Sequence, residues 1–149
     1  MTRSLEDEAC VFCRAIEGAS APDSLVVHAS ELSFVVMNLY PYNAGHVMVA
    51  PRRHLGTLGE ASAAELADII GLAQRLETVL GEAYRPAGLN VGMNLGRPAG
   101  AGVLGHIHLH VVPRWKGDTN FMSTLGETRV LPEALEVTYE RVHKALESK

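Results

Sequence analysis

The sequence has few aromatic residues, only two cysteines and no long hydrophobic run. Aromatic side chains make up 5% of the 149 residues. No stretch approaches the roughly 18–20 apolar residues that a membrane-spanning helix needs. The first eight residues are polar and acidic, without the apolar core of a signal peptide. We therefore expect a cytoplasmic protein with no membrane segment, whose two cysteines do not form a structural disulfide.

The chain also lacks an excess of positive charge. It carries 13 lysines and arginines against 17 aspartates and glutamates, which gives a formal net charge of −4. Duplex nucleic acids and anionic membranes favour basic surfaces, so extended contact with either is not expected. A local basic cluster could still meet a phosphate.

No internal repeat, low-complexity segment or Pro/Gly/Ser-rich linker divides the chain. We therefore predict a single domain over residues 1–149. Within it, an N-terminal segment (1–20) carries both cysteines, and a tail with a helix forms the C-terminal part (121–149).

Short apolar or β-branched runs bounded by turn residues predict five strands. A helical spacing of apolar residues follows, and Ser62 and Glu65 form a capping-box signature at its start. A C-terminal helix is predicted with Pro132 near its first turn. A sheet of about five strands with one long central helix and a C-terminal helix is an α+β domain. The predicted strands are Leu25–His28, Ser33–Met37, His46–Ala50, Leu89–Asn94 and His106–Val112, and the predicted core positions of the long helix are Leu66, Ile69, Ile70, Ala73, Leu76 and Leu80.

Three histidines alternate with aliphatic residues in the last predicted strand. Because strand side chains alternate between faces, His106, His108 and His110 project from one face and the aliphatic residues from the other. Three imidazoles on one face cost stability unless each has a partner or faces water. A metal-binding strand or a surface histidine cluster would give the same pattern, but the Gly-rich segment Gly96–Gly102 before it favours chemistry on a phosphate.

A histidine can attack phosphorus when one ring nitrogen is free and the other holds its proton against an acceptor. The N–H groups of a Gly-rich loop can approach an anion closely, which suits phosphate. This loop lacks Gly-Lys-Ser/Thr and is not a P-loop. The pattern predicts a small phosphoryl- or nucleotidyl-transfer enzyme whose nucleophile is His108.

The run His106–Val112 resembles the His-φ-His-φ-His-φ-φ signature of the histidine triad (HIT) superfamily. Cys10 to Cys13 looks like the N-terminal Cys-x-x-Cys of that family, Asn38 to His46 resembles its nucleoside-binding segment, and Asn94 to Gly96 resembles its Asn-x-Gly. The resemblance spans nearly the whole chain. It implies a HIT-like α+β fold that usually forms a homodimer, and a covalent nucleotidyl intermediate on His108.

The same resemblance implies roles for further residues. His110 and His46 help to position phosphate, Asn38 contacts ribose and Asn94 contacts phosphate. For Trp115, closing over a base and packing at a dimer edge are equal alternatives. The nucleotide- and phosphate-binding set is completed by Gly100, Ala101, Gly102 and His106.

The segment Pro113–Met122 resembles the HIT branch that contains diadenosine tetraphosphate phosphorylases and related hydrolases. It implies a dinucleoside polyphosphate substrate, with adenine as the expected base. Phosphorylases of this branch carry serine at the position of Gly102, so both water and phosphate stay open as the acceptor. Adenosine phosphoramidase activity and a non-catalytic, nucleotide-binding zinc adaptor are the alternatives.

Cys10 and Cys13 are compatible with a redox pair, half of a zinc site or two small buried hydrophobic residues. No thioredoxin-like βαβ context surrounds them, which disfavours a redox pair. The resemblance to zinc-containing HIT proteins implies that His54 and His106 complete a structural zinc site. Such a site would anchor the catalytic strand to the N-terminal segment without performing the reaction.

Overall fold

The structure, a computed structural model, describes residues 10–39, 41–96, 105–118 and 133–148. The predicted loop residues Gly100, Ala101 and Gly102, the predicted helix residue Pro132 and the first nine residues lie outside these ranges. In chain order the elements are α1 (Val11–Glu17), β1 (Val26–Ala29), β2 (Ser33–Met37), β3 (Val47–Pro51), a 3-10 turn (Leu58–Glu60), α2 (Ala63–Tyr84), β4 (Gly88–Gly92), β5 (Leu109–Arg114) and α3 (Leu135–Glu147).

The five strands form one antiparallel sheet in the order β1-β2-β3-β5-β4. The predicted α+β fold with five strands, a long central helix and a C-terminal helix is confirmed. β5 lies between β3 and β4, with His110 opposite Met48 on one side and Gly92 on the other. The histidine-bearing segment therefore leads into the interior of the sheet, and β4 is an edge strand.

The long helix α2 covers one face of the sheet together with α3. Its start is the predicted capping box, since the Ser62 side chain accepts from the Glu65 N–H and the Glu65 carboxylate accepts from the Ser62 N–H. The predicted core position Ile70 was wrong, because Ile70 is 60% exposed, and the predicted core position Leu66 is only half-buried. The buried stripe is narrower than the apolar pattern and turns away from Ile70. It consists of Ile69, Leu72, Leu76, Val79 and Leu80.

The opposite face of the sheet is covered by α1, a helix of seven residues that the sequence reasoning did not predict. So short a helix has little intrinsic stability and depends on tertiary packing. Here Phe12 and Cys13 are buried in a second apolar cluster against Phe34 and Met48. The short helix thereby brings the cysteine pair onto the face from which His110 projects.

Strand β5 begins at Leu109, not at the predicted His106. The antiparallel register that pairs Val49 with Leu109 would place Pro51 opposite Ile107, and proline has no N–H to donate to a ladder. The Ile107 N–H instead donates to the Leu55 carbonyl at 2.7 Å. The triad therefore lies partly before the strand and partly on it. Among the helices that the structure describes, none is both long and apolar enough to cross a membrane.

Candidate active site and metal cluster

The three histidine rings lie side by side beneath α1. The Phe12 ring packs against both His106 and His108, with ring centroids 5.2 and 4.7 Å away, and the His108 and His110 rings are 4.9 Å apart. His106 and His108 are buried and His110 is half-buried. The alternation of the sequence is thus preserved, although only His110 belongs to β5 proper.

The ring of His108 is oriented by a hydrogen bond to a nearby backbone carbonyl. Its Nδ1 lies 3.0 Å from the carbonyl oxygen of His106. A carbonyl oxygen only accepts, so Nδ1 carries the proton and donates it, which leaves the lone pair on Nε2. The Nε2 atom has no hydrogen-bond partner among the described residues, and a neutral imidazole with a free nitrogen is a nucleophile.

A second chain of hydrogen bonds determines the proton positions of His46 and His110. The Tyr42 N–H donates to His46 Nδ1 at 3.1 Å, so the proton of a neutral His46 ring resides on Nε2. His46 Nε2 lies 2.9 Å from His110 Nδ1 and donates to it. His110 therefore carries its own proton on Nε2. It presents a donor beside the nucleophilic ring.

Burial keeps the rings of His108 and His110 uncharged. Desolvation lowers the pKa of His108, against a smaller opposing effect of its bond to the His106 carbonyl. Desolvation also lowers the pKa of His110, and the neighbouring His108 lowers it further. At neutral pH both rings are therefore unprotonated at one nitrogen, which is the state that nucleophilic attack requires.

Two cysteines and two histidines meet beside the triad. One ligand atom from each of Cys10, Cys13, His54 and His106 can be chosen so that all four lie within 4.8 Å of one another. His106 Nδ1 is 3.3 Å from Cys10 Sγ and 3.5 Å from Cys13 Sγ, and His54 Nδ1 is 3.4 Å from Cys13 Sγ. The cluster could hold a metal ion.

Three of the separations between these ligand atoms suit a tetrahedral ion. Zinc bonds of about 2.0–2.3 Å place neighbouring ligand atoms roughly 3.3–3.8 Å apart, and the three measured separations fall in that range. The remaining ring nitrogen of His106, Nε2, donates to the Pro51 carbonyl at 2.8 Å, as metal-bound histidines commonly do. The donor set and its surroundings therefore fit a closed structural site.

Comparison with known proteins identifies the family. The model of the HIT domain matches residues 20–117. The chain belongs to the HIT domain family. An AP-4-A phosphorylase of Mycobacterium tuberculosis is 43% identical over 119 residues, 80% of this chain and 61% of that protein. A bis(5'-adenosyl)-triphosphatase of Dictyostelium discoideum is 35% identical over 95 residues, 64% of this chain and 63% of that protein.

The solved structures of HIT proteins include close matches to the fold. A Zn-bound histidine triad family protein from Mycobacterium smegmatis has a TM-score of 0.77 at 28% identity, covering 95% of this chain and 96% of that one. The predicted family and fold are therefore confirmed. The chain spans 61% and 63% of the lengths of the two curated relatives described above.

The structure places the other residues that the HIT resemblance singled out on several different elements. Asn38 is half-buried after β2 and its Nδ2 donates to the Met48 sulfur at 4.0 Å, on the same face as His110. Asn94 is exposed beyond the end of β4. Trp115 is half-buried and meets Tyr84 edge to face, with centroids 6.5 Å apart. The nucleotide-binding roles of these residues stay predictions.

Sequence reasoning missed three residues that shape the HIT site. The ring of Phe12 packs against two of the triad rings. The other two residues are Asn43 and Asp118, and the Asn43 amide donates a 2.9 Å hydrogen bond to the Asp118 carboxylate. The position of Phe12 between the two cysteines was an available signal, because any fold that brings the cysteines to His106 brings Phe12 with them. No local pattern links Asn43 to Asp118, which are 75 residues apart.

Proposed function

We propose that this HIT protein is a nucleotidyl hydrolase or transferase that cleaves dinucleoside polyphosphates, such as diadenosine tetraphosphate, through a covalent intermediate on His108. The observation that carries the proposal is the neutral His108 ring. Its Nδ1–H is held by the His106 carbonyl and its Nε2 lone pair has no partner among the described residues. The names of the two curated relatives support the substrate class.

In the first step, His108 Nε2 attacks the phosphorus next to one nucleoside. The N–P bond forms as the bond to the bridging oxygen breaks, and the remaining nucleoside polyphosphate leaves with that electron pair. The Nε2–H of His110 donates to a phosphoryl oxygen, where it stabilises the charge that builds up in the transition state. In the second step the oxygen of an acceptor forms a bond to phosphorus as the N–P bond breaks, and His108 leaves with that electron pair. A water acceptor releases a proton to solvent in this step.

The acceptor is water in a hydrolase and inorganic phosphate in a phosphorylase. One curated relative is named a phosphorylase and the other a triphosphatase, so the comparisons support either acceptor. The glycine at position 102 offers no hydroxyl to a phosphate co-substrate. We therefore propose water as the acceptor. Further contacts to the nucleotide are proposed for Asn38, Asn94, Trp115 and the loop residues Gly100, Ala101 and Gly102.

For the metal cluster we propose zinc, held by Cys10, Cys13, His54 and His106. Two thiolates with two imidazoles are a common donor set for structural zinc. The ion would join α1 to the segment before β5 and would supply no chemistry to the reaction. The Zn-bound relative from Mycobacterium smegmatis supports the choice of metal. His106 would act as a ligand, and its phosphate-binding role stays a prediction.

We further propose that the chain forms a homodimer in the cytoplasm, as the sequence predicts. The edge strand β4 supports the dimer, since Val91 on it is 50% exposed and an unpaired strand edge favours association. Sedimentation equilibrium would give the mass of the particle. A monomer at assay concentrations would contradict the dimer without bearing on the reaction.

A substrate panel tests the function. The protein is mixed with diadenosine tetraphosphate, with and without inorganic phosphate, and separately with an adenosine phosphoramidate. We expect ATP and AMP from diadenosine tetraphosphate without added phosphate. Phosphate-dependent formation of ADP with ATP would assign a phosphorylase instead. Turnover of the phosphoramidate alone would assign the phosphoramidase, and nucleotide binding without any turnover would contradict catalysis and support the zinc adaptor.

A further inference from the structure

The carboxylate of Asp118 joins two segments that the sequence keeps apart. Asp118 lies in the turn after β5, and its side chain is only 10% exposed. Arg114 donates to it twice, from Nε to Oδ2 at 2.6 Å and from Nη2 to Oδ1 at 2.9 Å. The Trp115 N–H donates to Oδ2 at 3.1 Å. The hydrogen bond from Arg114 holds the pKa of this carboxyl well below its usual range, so it stays charged.

Asn43 connects that carboxylate to the loop between β2 and β3. Its Nδ2 donates to Asp118 Oδ2 and to the Pro113 carbonyl, each at 2.9 Å. Its own backbone carbonyl accepts from the His46 N–H at 3.2 Å. Asn43 thereby holds the loop against the end of β5, and its backbone carbonyl is also bonded to His46.

The same loop determines which nitrogen of His110 carries the proton. The Tyr42 N–H binds His46 Nδ1, and His46 Nε2 then donates to His110 Nδ1 at 2.9 Å. Hydrogen bonds of this kind have donor–acceptor distances of about 2.7–3.2 Å. A displacement of the loop by a few tenths of an ångström would therefore free His110 Nδ1 and allow its proton to move there.

We propose that Asn43 and Asp118 are positioning residues for the reaction at His108, because they hold the His46 loop where His46 donates to His110. The expected effect on rate rests on the proposed function. The expected position of the proton on His110 does not depend on it. The two residues act through His46 and touch no reacting atom. A merely structural role would lower stability and leave the proton on His110 Nε2.

The test variant is Asn43→Ala, which removes both side-chain donors and keeps the backbone carbonyl. We expect kcat for the substrate found in the panel to fall about 10- to 100-fold, with KM changing less than about twofold. The ¹⁵N shifts of the histidine rings, measured above neutral pH, should show protonated Nε2 on His110 in the wild-type chain and a mixture of both tautomers in the variant. Thermal unfolding of each variant is recorded in parallel.

The matched control is Asn90→Ala. Asn90 on β4 accepts from Nη1 of the same Arg114 at 2.8 Å, so its removal disturbs that arginine without touching the link between Asp118 and Asn43. Its kcat and its His110 tautomer should remain those of the wild type. A second variant, Asp118→Asn, keeps the shape of the side chain and should weaken kcat less than Asp118→Ala. Because the two residues act through one link, kcat of the double variant Asn43→Ala/Asp118→Ala should be no lower than kcat of the less active single variant.

An unchanged His110 tautomer in Asn43→Ala would overturn the inference whatever the rate. An equal shift of tautomer in Asn90→Ala would also overturn it, since the effect would then not pass through Asn43. If the wild-type chain turned over no substrate of the panel, the proposed function would fail. The tautomer measurement would still decide the inference by itself.

Discussion

The Nδ1 atom of His108 lies 3.0 Å from the carbonyl oxygen of His106, two residues earlier in the chain. One of these histidines has its ring in the cysteine cluster, and the other is the proposed nucleophile. The bond between them uses the backbone of His106 and leaves its ring to Cys10, Cys13 and the Pro51 carbonyl. A structural metal cluster and a nucleophile can thus share one residue without competing for its ring.

The substitution His108→Ala should lower turnover at least about 10³-fold, because it removes the ring nitrogen that is proposed to form the bond to phosphorus. The variant should remain folded, as circular dichroism would show. His28→Gln is the matched control, since His28 lies on β1 with Arg75 and Glu147 as its partners and should keep its rate. Near-full activity of His108→Ala would remove the nucleophile from the mechanism.

The pH dependence follows from the directions of two pKa shifts. Burial lowers the pKa of His108 and of His110 below the ordinary value of 6.5. The neutral, active forms therefore persist at neutral pH, and kcat/KM should fall only on an acid limb whose apparent pKa lies below 6.5. A profile of kcat/KM against pH measures this. An acid limb centred above 6.5 would contradict it.

The same shifts act on stability. In the unfolded chain both histidines bind protons near pH 6.5, whereas in the folded protein they resist protonation. The free energy of unfolding should therefore decrease as the pH falls below about 6.5. Each rate on the acid limb needs a parallel check by circular dichroism that the protein is still folded.

The substitution Cys10→Ser should lower zinc content and thermal stability more than chemistry. Loss of one of four ligands weakens binding of the ion, and binding energy at a structural site contributes directly to folding. Elemental analysis should find about one zinc per wild-type chain and much less in the variant, with a melting temperature several degrees lower. Val11→Ala at the next position in the chain, where Val11 is 48% exposed, is the control. Unchanged zinc in Cys10→Ser would rule out the assigned ligands.

Gly45→Ala should destabilise the protein and displace the His46 loop. Gly45 has φ of +80°, and a Cβ there would lie 3.1 Å from both the Pro113 and Tyr84 side chains. Strained backbone of this kind costs about 1–3 kcal/mol. Gly81→Ala within α2 is the matched control, since a Cβ at that position meets nothing within 4 Å. This substitution should raise the free energy of unfolding by about 0.5–1 kcal/mol. Urea unfolding of the two variants should therefore shift in opposite directions.

Local patterns in the sequence predicted most of the sheet and both longer helices. Alternation placed the three histidines on one face, and the Ser62–Glu65 signature marked the start of α2 correctly. These features depend on spacings of two to four residues, which the chain displays directly. The prediction that the last strand begins at His106 was wrong, because a single proline on a neighbouring strand, Pro51, ends the ladder of hydrogen bonds there.

The sequence by itself determined the triad, its order and the residue types of the metal cluster, because covalent spacing and side-chain chemistry are local properties. Only the tertiary structure decided which nitrogen of each ring holds a proton, since that depends on partners such as Tyr42 for His46. It also brought Cys10 to His106, 96 residues away, and Asn43 to Asp118, 75 residues away. Strand order and register create such meetings, and no periodicity within either segment encodes them.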